Sequence, residues 1–173
     1  MSNIIPEKSI NFKVYLNGTD LLGVAEGTIP VLEAMTSEVK GAGIAGVVES
    51  PVLGHFNSTN FSLTWRTVTD DTLKLFDHVT NDIELFSALQ QYDAGLGVYK
   101  VVPLQVSIRA ITKTSTSGNL AVGDLMDTQT EFEVVRMKIY LDNKERIVMD
   151  KYNYIFSIDG VNRLAEVKAA LGM

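Results

Sequence analysis

The 173-residue sequence predicts a mainly β fold: an antiparallel β-sandwich or partly open barrel, with one short flanking helix and a short C-terminal helix. Three observations carry that expectation. Apolar and polar residues alternate with period two over Ile10–Leu16, Asn60–Thr67 and much of the second half of the chain, which is the mark of half-buried strands. Turn-forming pairs and clusters, Asn17-Gly18, Asp93-Ala94-Gly95-Leu96-Gly97 and Asp142-Asn143, stand where hairpins need them. Helical spacing of apolar residues is confined to two short stretches.

In chain order, Ile10, Phe12, Val14 and Leu16 share one face of the first strand, and Asn17-Gly18 turns out of it. Strands are expected over Leu21–Glu26 and Thr28–Met35, separated by Gly27, with Pro30 at a strand start or edge. Phe61, Leu63 and Trp65 face one way in the strand Asn60–Thr67. Thr69, Asp70 and Asp71 then open a short helix, an aspartate capping its free N–H groups, and Leu73, Phe76 and Val79 or Thr80 form its apolar stripe. Asp82–Gln91 fits either period; the turn at Asp93–Gly97 favours a strand that leads into a long strand, Val98–Ile111. Thr112–Gly123 is small and polar and reads as a flexible connection. In Thr130–Leu141 the apolar set changes parity, from Phe132 and Val134 to Val135, Met137, Ile139 and Leu141, which predicts a β-bulge. Arg146–Ile158 returns as the partner strand after Asp142-Asn143. Asn162 is the expected cap of a last helix with Leu164, Val167 and Leu171 on one face and Gly172 at its end. About eight strands and two helices result, in a single domain over 1–173, with neither an internal repeat nor an interdomain linker.

One segment, at about 40–60, does not behave as ordinary surface. From Gly41 to Trp65 the only charged side chain is Glu49, yet Gly41, Gly43 and Gly46 oppose a helix by roughly 1 kcal/mol each, and Pro51 opposes a central strand. An apolar loop of this length needs a cover, and a second copy of the chain is the simplest one.

Composition removes several function classes. The formal net charge is −6, which disfavours binding to nucleic-acid phosphates. With no cysteine, disulfides, thiolate metal sites and cysteine nucleophiles are excluded. The N-terminus lacks the basic-then-apolar pattern of a secretory signal, and no run approaches the ~18 apolar residues of a membrane span; synthesis in the cytoplasm is the expectation. Gly41–Gly46 matches G-x-G-x-x-G, but the residues after it cannot open the helix that a dinucleotide site requires. His55 and His78 lie in no ligand pattern, and no G-x-S-x-G elbow is present. Asp70-Asp71 and Asp124 with Asp127 read as caps and turns. No catalytic, cofactor-binding or metal-binding residue is therefore assigned.

Ordered blocks along the whole chain resemble a known family. They are Val14–Gly18, Gly23–Glu26 with Ile29-Pro30, Val39–Gly46 followed by Leu63-Thr64-Trp65, Lys138–Lys144, Asp159-Gly160, Asn162–Glu166 and Ala170–Met173. Together they resemble the major tail tube protein of contractile-tailed bacteriophages and of phage-tail-like bacteriocins. The resemblance implies a non-enzymatic structural subunit whose six copies form a ring, with rings stacked into a hollow tube inside a contractile sheath. The partners it implies are further copies of the chain, the sheath protein, baseplate or initiator proteins and a tape-measure protein. In a phage, DNA passes the lumen without specific binding; in a bacteriocin, ions do. The tube of a type VI-like secretion or other injection apparatus is the alternative. On this reading Gly41, Gly43, Ile44, Ala45, Gly46, Val47, Val48, Val52, Leu53 and Phe56 are the expected contacts to neighbouring subunits, and Glu131 and Glu133 are expected to face the lumen.

Overall fold

The computed structural model describes residues 3–20 and 23–173. Among these, twelve strands and two helices occur in the order β1 (Ile4–Leu16), β2 (Thr19–Asp20), β3 (Val24–Thr28), β4 (Ala34–Val39), β5 (Val48–Phe56), β6 (Asn60–Trp65), α1 (Asp70–Lys74), β7 (Thr80–Asp93), β8 (Val98–Ser115), β9 (Thr128–Leu141), β10 (Lys144–Asp150), β11 (Ile155–Ile158), β12 (Val161–Asn162) and α2 (Ala165–Ala170). One large antiparallel sheet runs β12-β11-β10-β9-β8-β7-β1-β2, and β6 adds to β9 and carries β3. It does not close into a barrel. β4 and β5 form a separate two-stranded hairpin.

The sheet forks at β9. Its first half, Thr128–Glu133, pairs with β6, and its second half, Arg136–Leu141, pairs with β10, while β8 pairs along both. The fork sits on the bulge that the change of parity predicts: Arg109 opposes Arg136 and Ala110 opposes Val134, so Val135 is the extra residue. The groups freed there find partners. Val134 N–H donates to the Thr59 carbonyl at 2.8 Å, and the Val135 carbonyl accepts from Lys151 N–H at 3.0 Å.

The core lies between the two lobes of the fork. Val14, Ile83, Val106, Ile108, Phe132 and Met137 are all essentially inaccessible, and β6 brings Phe61, Leu63 and Trp65 over them. Phe61 and Phe132 face each other across β6 and β9 with ring centroids 5.5 Å apart. The indole N–H of Trp65 donates to Thr130 Oγ1 at 3.2 Å, which satisfies the one polar atom of that buried ring.

Several expectations are corrected. Leu21 and Leu22 lie outside the described residues. The strand expected over Thr28–Met35 is absent as such: β3 ends at Thr28, Pro30 sits buried in an irregular segment, and β4 begins at Ala34. Thr69, not an aspartate, caps α1; it exchanges hydrogen bonds with Thr72 in a capping box, and Asp70 and Asp71 occupy the first turn. With α1 hardly longer than one turn, no stripe can develop. Thr72 and Leu75 are buried, whereas Leu73, Phe76 and Val79 are exposed. Thr112–Ser115 continues β8. The return strand Arg146–Ile158 is two strands, because the Asp150 carboxylate accepts from Asn153 N–H and Nδ2 at 3.0 and 2.8 Å and turns the chain, leaving Tyr154 at φ +54. Asn162 lies in β12 and accepts from Leu164 N–H at 3.0 Å; Leu164 stands at the start of α2.

Candidate assembly surfaces

The apolar segment is a β-hairpin arm. Val39 pairs with Val48 and Thr36 with Pro51, and the tip between them carries Gly43 at φ +91 and Gly46 at φ +149, backbone positions where a side chain would be strained. The sequence hides this hairpin because four residues, Val52–His55, bulge out of register between the Thr36–Pro51 and Ala34–Phe56 pairs. The G-x-G-x-x-G match is thus the arm's tip, and it leads into a strand.

The arm is fixed at its base and unsupported at its end. Phe56 packs edge-on to Phe156 at 4.9 Å, His55 lies against Tyr154 at 6.0 Å, and Asn57 N–H donates to the Glu33 carbonyl at 2.9 Å. Gly54 abuts the Leu164 side chain so closely that a Cβ there would lie 2.2 Å from it. Beyond this base, Ile44, Val47, Val48 and Leu53 are exposed (43, 61, 53 and 71%). Gly41, Gly43, Ala45 and Gly46 are exposed with them, and Val52 is half-buried. Of the ten expected contact residues, Phe56 is used mainly by its own chain. Glu38 and Glu49 stand directly opposite each other in the arm, an unfavourable like-charge pair, with Lys40 3.6 Å from Glu38.

Glu131 and Glu133 share the polar face of β9, but their surroundings differ. Glu131 lies among Ser62, Thr114, Thr116 and Gln129 along a shallow groove. Glu133 is tied into the fork: its carboxylate accepts from Ser58 Oγ, from Thr59 N–H at 3.2 Å and from Lys151 Nζ at 2.9 Å. Burial pushes its pKa up, but the hydrogen bonds from Ser58, Lys151 and Thr59 outweigh burial and hold the carboxyl below its usual range.

The same face continues across β7, β8, β9 and β10 as a row that sequence alone could not assemble: Asp82, Arg109, Arg136 and Asp150 are consecutive cross-strand neighbours. Arg109 holds Asp82 with two hydrogen bonds, 2.8 and 3.1 Å, and lowers that carboxyl's pKa. Arg136 Nε lies 3.8 Å from Asp150. Two arginines meet in the middle of the row and an aspartate neutralises each from outside. Asp82, Arg109 and Arg136 of this row, with Glu84, Ser107, Lys138 and Tyr140, line a concavity of 610 Å³ in the sheet.

Among the described residues no cluster of histidine and carboxylate side chains could hold a metal ion. His55 and His78 lie apart, each ring Nδ1 placed 3.0 Å from a backbone carbonyl, of Leu53 and Thr112 respectively. Among the described residues no helix is long and apolar enough to cross a membrane.

The fold has a counterpart among solved structures. A chain in the sheath/tube terminator of an extracellular contractile injection system, PVC, superposes with a TM-score of 0.54 at 17% identity, over 79% of this chain and 97% of that one. The tail tube protein of Escherichia phage P2 is 27% identical over 178 residues, covering 98% of this chain and 99% of the relative. The family described as phage tail tube protein FII matches residues 6–172, nearly the whole sequence. The chain belongs to that family of structural tail tube proteins.

Proposed function

We propose that this chain is the repeating subunit of the inner tube of a contractile tail, in which six copies close a ring and rings stack into a hollow conduit. The arm is the observation that carries this reading. An isolated two-stranded hairpin is marginal in water, and this one exposes Ile44, Val47, Val48 and Leu53 with no cover from its own chain. A neighbouring subunit supplies that cover, and a heterologous contact of this kind closes a ring. Membership of the tail tube family supports the same conclusion.

The polar concave face supports assignment to the channel. A surface built from paired charges must stay wet, and a concave one suits the inside of a ring. Because Asp82 and Asp150 neutralise Arg109 and Arg136 within the row, the wall offers little net positive charge to passing phosphates. DNA then slides without being held, or ions pass if the particle carries no genome. Glu131 and Glu133 lie on the same face of β9 and extend this wall. Outside the tube, the sheath, the baseplate or initiator and an internal tape measure are the partners this role calls for.

Electron microscopy of the concentrated wild-type protein in negative stain, with and without a nucleating baseplate, tests the reading. Hollow tubes of constant diameter are expected. Protein that stays monomeric under every condition overturns it.

A further inference from the structure

The long hairpin of β7 and β8 ends in an apolar patch at both extremities, and each patch is held rigid by contacts that leave its apolar side chains in water. At the turn end, Asp93 is buried and organises the turn. Its carboxylate accepts from Gly95 N–H at 3.1 Å, Leu96 N–H at 3.2 Å and Lys100 Nζ at 2.8 Å, and its carbonyl accepts from Gly97 N–H at 2.7 Å. The Tyr92 and Tyr99 rings brace each other at 5.2 Å. On this frame Leu96, Tyr99 and Val101 are 70, 66 and 61% exposed, and Ile4 and Ile5 of β1 lie alongside, also exposed.

At the other extremity the 116–127 loop is equally well tied. Thr116 N–H donates to the Gln129 carbonyl at 2.8 Å, Asn119 N–H to the Met126 carbonyl at 2.9 Å, and Met126 N–H to the Arg66 carbonyl at 2.9 Å. Gly118 takes φ +70 where a Cβ would lie 2.1 Å from the Met126 oxygen. Yet the loop carries Leu120, Val122 and Leu125 almost free of the body, at 89, 107 and 56% exposure.

We propose that these two ends form the axial contact of the tube: the turn end of one copy, led by Leu96 and Tyr99, seats on the 116–127 loop of the copy in the next ring. This deepens the tube reading and rests on it. β7 has 14 residues, which at about 3.4 Å each separate the ends by roughly 45 Å, too far for one molecule to join them. Two different patches at opposite ends of one rigid element can be mated by translation, and that contact is heterologous and open, so it propagates. Its size argues the same way. A few side chains a side cover several hundred Å², below the ~800 Å² per partner of a stable pair. A single head-to-tail dimer is therefore weak, and a ring that offers the contact many times in parallel is not. The tube then grows ring upon ring.

Cross-linking tests the contact cleanly, because the chain has no cysteine of its own. The double variant Leu96→Cys, Leu120→Cys is assembled, oxidised and run on denaturing gels. The expected result is a ladder of covalent multimers extending beyond six chains, absent from either single variant. A second variant, Val122→Asp, is expected to leave rings that no longer lengthen, with at least a tenfold rise in the concentration needed for tubes. Tubes of the double variant that dissolve to monomers overturn the axial contact while the tube reading stands; so does a ladder that stops at six, which would place the contact within a ring. Val122→Asp protein that builds tubes at the wild-type concentration also overturns it. Wild-type protein that forms neither rings nor tubes removes both conclusions.

Discussion

Ile44→Asp isolates the arm from the rest of the molecule. Ile44 lies at the arm's tip, and its backbone N–H to the Gly41 carbonyl, 3.2 Å, survives the change. Its side chain is 43% exposed, so close to half of it remains to be covered by a neighbour. Covering that fraction of an isoleucine is worth about 1 kcal/mol. A carboxylate forced into the same apolar contact loses its hydration, which adds at least ~2 kcal/mol. The total, about 3 kcal/mol per contact, raises the concentration at which tubes form by more than ~100-fold. Sedimentation of tubes across a dilution series measures that threshold. A thermal melt of the unassembled protein should match the wild type within about a degree, since Ile44 lies outside the buried core. Unchanged thresholds with an unchanged melt would refute the claim that the arm is an intersubunit element.

Other expectations concern the fold and the charged face. Phe132→Ala, at a site with no accessible surface and a stacked Phe61 partner, should cost about 3–5 kcal/mol of stability in urea titrations. Gly54→Ala should tilt or loosen the arm, because its Cβ would collide with Leu164, and should impair assembly while the core melts normally. Asp82 is held below its ordinary pKa by the Arg109 hydrogen bonds, and Glu133 by its donors against the opposing effect of burial. The unfolded chain therefore takes up protons first as pH falls. Their stabilisation is complete above about pH 5 and is lost as pH drops below about 4 through the folded-state values. Urea midpoints should show that fall, and Asp82→Asn should make it shallower.

Much of the fold is legible in the residues. The parity change at Val134 and Val135 locates the bulge because a pleated strand cannot bury consecutive side chains without one. Asp142-Asn143 marks a tight hairpin, and both residues take positive φ, at +54 and +58. What stays hidden depends on partners distant in sequence. The split between β10 and β11 comes from the Asp150 side chain folding back on Asn153, which no hydrophobic pattern reports. The α1 stripe fails because burial is decided by where the helix is docked, at Thr72 and Leu75. The apolar character of 40–60 marks a segment in need of a cover, and Ile44, Val47, Val48 and Leu53 are exposed there, but its hairpin geometry is masked by Pro51 and the bulge that follows. The cross-strand charge row is invisible in one dimension: Asp82, Arg109, Arg136 and Asp150 become neighbours only through register.

The fork at β9 also governs when this molecule can exist. Both lobes hang on one strand that begins at Thr128, so a nascent chain carries β1 to β8 without the piece that joins them. Until Leu141 leaves the ribosome, β6 has no partner but β3, and β8 has a bare edge. Synthesis of β9 is thus the point at which the two lobes can join, and destabilising β9 anywhere should release both lobes in a single melting event.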